Sequence, residues 1–280
     1  MNTATFRSLL VPAVLPAVLL AGVELLTVSP LVVTGPFVFV FPELTIAAVS
    51  GMLLGPIALI GIGLGVLLDI FLTGVSPLTD LLLLTIGGWC ALFTTERKYR
   101  REDVEENQLL MFLQDYGLIG TGAVLFSAAV FSWAYVITDT GRFYPRALVL
   151  LVNLLLSVVF LGGIAIVLCY PFFRTPRLRK ELSAIHTVSK KERFPTPPSR
   201  SVLLFSITWL LVGSAISVFF DVLDLVPRFV FRRRDIESVL FVKQISAATD
   251  GGQTIQILYG GVMLGLLIVL LWNVSAADRE

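Results

Sequence analysis

Four carboxylates stand near the ends of long apolar runs: Glu24, Glu43, Asp69 and Asp80. An ionisable group costs about 2.5 kcal/mol or more at the centre of a bilayer, so such residues turn toward a bundle interior or a wet cavity. Acids held at one depth by separate helices form an acceptor for a small cationic or amine-bearing solute. These four are therefore the expected substrate-binding residues. Each also has a plainer reading as an interfacial side chain. Asp80 follows Pro77 and would fall in a first helical turn, where the helix dipole favours an acid. Asp221, Asp224, Arg146 and Asn153 fall at the same level of later runs. Of these, Arg146 reads as an interfacial residue whose charged head snorkels to water.

Exclusions narrow the chemistry. The single histidine, His186, lies in a charged stretch, which rules out a bis-histidine haem site, an H-E-x-x-H zinc site and a Ser/His pair at membrane depth. No G-x-x-x-x-G-K-[ST] phosphate loop occurs, so ATP hydrolysis would belong to another polypeptide. No metal and no cofactor are expected, and the chain is not expected to be an enzyme. A net charge of +1 argues against a nucleic-acid partner. Cys90 and Cys169 both lie inside apolar runs, where a structural disulfide is not expected.

The elements that must position the acids follow from composition and run length. The chain is 56% hydrophobic and 15% charged, with a mean hydropathy of +0.89. Runs of about 20 apolar residues match a hydrocarbon core about 30 Å thick. In lipid, backbone groups must be satisfied within the segment, which makes such runs helices. The sequence thus predicts an all-α, polytopic transmembrane bundle of about eight spans: Leu9–Val28, Phe37–Leu54, Pro56–Thr73, Leu78–Thr95, Tyr116–Thr138, Ala147–Phe173, Ser201–Leu223 and Ile255–Trp272. Leu54-Gly55-Pro56 reads as a tight turn, and Pro42 as a kink or a late helix start. The first run is read as a retained helix, since it is long and lacks a small-residue cleavage site.

Arg7, the cluster Arg97, Lys98, Arg100 and Arg101, and the charged stretch Arg174 to Arg200 place the N-terminus in the cytoplasm by the positive-inside rule. Arg232-Arg233-Arg234 then sits awkwardly outside. Residues 1–174 form a six-helix unit, 175–200 a charged, Pro-containing cytoplasmic linker, and 201–280 a two-helix appendage with an outer loop. Small residues recur at helical spacing: Ala13, Ala17 and Ala21 on the first run, Gly51 and Gly55 closing the second, and Gly61 and Gly65 on the third. Such ridges let helix backbones approach closely, within the bundle or against a membrane partner. Trp133, Tyr135 and Tyr144 read as interfacial anchors.

The stretch Phe41-Pro42-Glu43-Leu44-Thr45-Ile46-Ala47-Ala48, then Ser50 to Pro56, Gly61 to Gly65 and Asp69 to Gly74, resembles substrate-binding S components of energy-coupling factor vitamin transporters. The resemblance covers about residues 37–101. It implies a six-helix bundle with a cytoplasmic N-terminus and a vitamin or related small molecule bound near the outer face, at the level of Glu43, Asp69 and Asp80. It also implies that an A-x-x-x-A ridge, here Ala13 and Ala17, docks on a transmembrane coupling subunit driven by two ATPases. The two extra C-terminal spans and the long linker depart from that pattern. The expected function is capture of a vitamin-like or cationic solute, coupled in trans. The alternative is a membrane sensor or scaffold without transport activity. An intramembrane enzyme acting on lipid through paired acids ranks third.

Overall fold

A computed structural model describes residues 14–23, 31–34, 38–73, 77–98, 108–138, 143–173, 199–230 and 254–269. The apolar runs become α1 (Val14–Val23), α2 (Pro42–Leu54), α3 (Ala58–Thr73), α4 (Pro77–Lys98), α5 (Gln108–Thr138), α6 (Phe143–Leu154), α7 (Gly162–Phe173), α8 (Ser199–Val230) and α9 (Thr254–Val269). A 3-10 turn, Gly55–Ile57, joins α2 to α3, and a π-helical segment, Leu155–Leu161, joins α6 to α7. The molecule is almost entirely helical. Its one departure among the described residues is a two-stranded antiparallel hairpin, β1 (Leu31–Thr34) and β2 (Val38–Val40), pairing Leu31 with Val40 and Val32 with Phe39.

That hairpin corrects the expected start of the second span. Phe37 lies outside the described residues; Val38–Val40 form strand β2, and α2 begins at Pro42. Proline lacks an N–H and has its φ preset for a first helical turn, so it marks the start rather than kinking an interior. Four helical stretches are long and apolar enough to cross a membrane: Pro42–Phe71, Phe112–Ile137, Phe143–Cys169 and Ser201–Phe219. Val14–Val23, Thr79–Phe93 and Thr254–Val269 are apolar but shorter. Among the described residues the first and last runs are present only in part, the fourth is one of the shorter helices, and the second and third are joined by the 3-10 turn into one helical stretch.

That stretch is not straight. Gly55 has φ 70° and ψ −153°, and its N–H bonds to Gly51 O. A positive φ is open to glycine at little cost and ends α2 as a C-terminal cap. The path beyond it reverses, as Gly87 on α4 shows. A Cβ placed there would touch Ile62 Cδ1 at 2.5 Å and Ala47 O at 3.4 Å. On an unbroken helix Ala47 and Ile62 would be roughly 22 Å apart. Hence α2 and α3 fold back at Gly55 as a helical hairpin against α4.

Small residues set how close those helices come. A Cβ on Gly51 would run into Gly87 O and lie 3.1 Å from Ala91 N, and Gly65 on α3 is covered by Leu20 of α1 at 2.6 Å. Further along, α8 packs on α5 and α6. Trp209 is wholly buried there, 5.9 Å from Trp133, and Trp133 Nε1 donates to Ile257 O of α9 at 3.3 Å. Trp133 thus ties α5 to α9, where an interfacial anchor was expected. The two C-terminal helices share the core of the earlier ones. Large apolar side chains are exposed on the described helices, with Phe71 88% exposed and Leu168 67%. Such a surface suits a lipid solvent.

Candidate functional site

Three of the expected site residues are buried polar groups in the helical core. Glu43 occupies the first turn of α2, Asp80 the first turn of α4, and Asp69 the last part of α3. Their exposures are 7%, 6% and 6% respectively. Helix registers show how they are brought together. Ala47 meets Gly87 and Gly51 meets Ala91, so α2 and α4 run parallel. Ile62 meets Gly87 and Leu59 meets Gly88, so α3 runs the other way. Carried along the helices, these pairings bring Asp69 level with Asp80. Glu43 comes about one turn, or ~5 Å, nearer the middle.

The helix dipole accounts for two of these acids and not the third. A carboxylate in a first turn is favoured by the partial positive charge of the helix N-terminus, which fits Glu43 and Asp80. Asp69 lies toward a C-terminus, where the same field opposes it. Glu43 Oε2 has no hydrogen-bond partner among the described residues.

The strand hairpin is fastened beside this cluster. Phe39 N donates to Asn153 Oδ1 at 3.1 Å, and Phe41 N donates to Ser157 Oγ at 2.9 Å. Ser157 Oγ in turn donates to Asn153 O at 2.8 Å, and Ser157 O accepts from Thr45 Oγ1 at 2.6 Å. Tyr116 OH donates to Val158 O. A π turn leaves carbonyls off the usual helical ladder, and these side chains engage two of them. Asn153 was expected as a polar candidate at this level. Ser157 and Thr45 were not, although Asn153 and Ser157 are spaced to share a helix face.

Elsewhere the expected residues are placed as follows. Ala17 is 5% exposed and faces into the bundle, while Val14, Leu15, Val18 and Leu19 form the outer side of α1. Ala21 is half-buried, and Gly61 and Gly65 are buried on α3. Glu24, Ala13, His186 and Arg232 to Arg234 lie outside the described residues, as does most of the expected linker. Arg146 stacks its guanidinium over the Tyr135 ring at 5.1 Å. Cys90 is buried and Cys169 half-buried, and neither is joined in a disulfide. A groove of about 650 Å³ runs between α5 and the π segment, lined by Leu113, Leu155, Val159, Phe160, Ile164 and Leu168 among others, and it holds none of the acids. Among the described residues no group of three His, Cys, Asp or Glu side chains is arranged to hold a metal ion. Comparison with protein-family models, curated proteins and solved structures finds no match for this chain.

Proposed function

We propose that this chain is a multi-pass integral membrane protein of about eight spans, its N-terminus cytoplasmic, that captures a small cationic or vitamin-like solute. Glu43, Asp69 and Asp80 form its binding site, and uptake is coupled in trans to a transmembrane partner and separate ATPase subunits. The observation that carries the reading is that three acids from three helices, Glu43, Asp69 and Asp80, are all buried toward one end of the bundle. Two like charges out of water repel each other and call for a positive group between or beside them. Packing alone would have been served better by apolar side chains. The hairpin fastened at Asn153 and Ser157 adds polar backbone close to the acids. A solute with both an amine and a neutral polar portion suits that mixture.

A thermal-shift screen of the purified protein in detergent tests this, using vitamins, polyamines and other organic cations. At least one cationic compound is expected to raise the melting temperature, and Glu43→Gln with Asp69→Asn is expected to remove the shift. A panel in which no compound moves the transition would sink the capture reading. Copurification separates the partners: a membrane coupling protein with ATPases supports uptake, and a kinase or regulator supports the sensor alternative.

A further inference from the structure

The groove beside the π segment has the dimensions of a single hydrocarbon chain. Its lining, from Leu113 on α5 through Leu155, Val159, Phe160 and Gly163 to Leu168, carries no polar side chain. Phe160 and Leu168 stand about two-thirds exposed. Leu155 lies near the middle of the Phe143–Cys169 stretch and Leu168 close to its end. At a rise of about 1.5 Å per residue the groove is roughly 20 Å long. That matches the depth of one leaflet, about 15 Å of hydrocarbon, and falls short of the full core of about 30 Å.

Width decides between occupants. A volume of about 650 Å³ spread over that length leaves a channel roughly 6 Å across. A helix with its side chains is about 10–12 Å wide and must cross the whole core, so a partner's span does not seat in it. Carbon atoms in contact stand about 4 Å apart, so a column of methylenes does. At Gly120 a Cβ would lie 3.6 Å from Val158 and 3.7 Å from Val159, so α5 touches the π segment there and parts from it toward Leu113. Gly163 keeps the channel clear, since a Cβ on it would meet nothing within 4 Å.

We propose that this groove holds one acyl chain of a bilayer phospholipid, its methyl end at Leu155 and its headgroup beyond Leu168. The site rests on the multi-pass membrane reading and on none of the acids. Lipid tails are as apolar as leucine, so close packing along the channel, rather than escape from water, retains the chain. The filled groove braces the outer side of the segment whose inner side fastens the hairpin through Ser157.

Photolabelling of the full chain in phosphatidylcholine vesicles tests the site. The probe is phosphatidylcholine with a diazirine near the methyl end of its palmitoyl chain, added at a low fraction. Illumination expels dinitrogen, and the resulting carbene inserts into the nearest C–H bond. Adducts mapped to residues 155–159 are expected to exceed those at Leu64, an exposed residue midway along α3, by about fivefold or more. Gly163→Leu fills the channel and is expected to bring groove labelling down to the Leu64 level. Gly63→Leu, at an equally unobstructed glycine on α3, is expected to leave groove labelling unchanged. Both variants replace glycine with a better helix former, and the wild-type comparison depends on neither. Equal labelling of groove and Leu64 in the wild type, or groove labelling undiminished in Gly163→Leu, would overturn the proposal. Adducts at Leu64 alone defeat the groove alone, whereas adducts nowhere on the chain defeat the membrane reading with it. A failed solute screen alters none of these outcomes.

Discussion

Whether Gly51 tolerates a methyl group is decided by one carbonyl, that of Gly87, which a Cβ at Gly51 would strike. Neither atom belongs to a flexible side chain, so α2 and α4 would have to part. Overpacking of this kind costs about 1–3 kcal/mol. Gly51→Ala is therefore expected to lower the melting temperature by several degrees in a detergent melt followed by circular dichroism. Gly63→Ala is the matched control, since nothing lies within 4 Å of a Cβ there. It is expected to leave the transition unchanged or raise it, because alanine favours helix over glycine by about 1 kcal/mol. At this same scale the sequence was informative about the acids. Glu43, Asp69 and Asp80 stand out because charge is rare in apolar runs, and burial is what lipid exclusion demands of them. Thr45 and Ser157 did not stand out, because serine and threonine are ordinary in membrane helices, where they can bond their own backbone. Their pairing across helices appears only once α2 and the π segment are side by side.

Turns and helix ends obey local rules, and there the sequence was legible. Leu54-Gly55-Pro56 announces a reversal through two residues with unusual backbone ranges, and the chain reverses at Gly55. An alanine at its φ of 70° meets steric strain, so Gly55→Ala is expected to cost roughly 1–2 kcal/mol. A lowered melting temperature with the helical signal intact would record it. The strand hairpin was not legible. Phe37 to Val40 continue the apolar run that becomes α2, and only Pro42 hints that the helix starts late. Its docking depends on Asn153, 114 positions away in the chain from Phe39. No local pattern can carry such a contact. Asn153→Ala removes the acceptor of the Phe39 N–H and is expected to speed amide exchange at Phe39 by about fivefold, on the usual net value near 1 kcal/mol for such a bond. Exchange confined to the wild-type rate would mean that Ser157 alone holds the strand.

On the scale of the whole molecule, the reversal at Gly55 fixes which parts lie at the same end. The beginnings of α2 and α4 stand together with the end of α3, and the 3-10 turn lies beside the later part of α4. In a protein whose two cysteines are replaced by alanine, Val40→Cys and Thr79→Cys are expected to react with an impermeant maleimide from one face of the membrane. Ile57→Cys and Lys98→Cys are expected to react from the other. Reaction of all four from one face would mean that the α2–α3 hairpin dips into the bilayer without crossing it. The class of the molecule was legible from composition because lipid imposes one solution on long apolar segments. How many of them cross was less so, since run length does not distinguish two antiparallel limbs from one bent helix.

The widened turn at Leu155–Leu161 has a further consequence for how this chain can vary. A π turn holds one residue more than the regular helix it interrupts, as though a single amino acid had been spliced into an older α6–α7. Deleting one residue there would restore regular winding and rotate everything downstream by about 100°. Asn153 would keep its hold on the strand hairpin while Ile166, now wholly buried, swung away from the core. The odd residue is therefore what phases two halves of one helix to two different sets of neighbours.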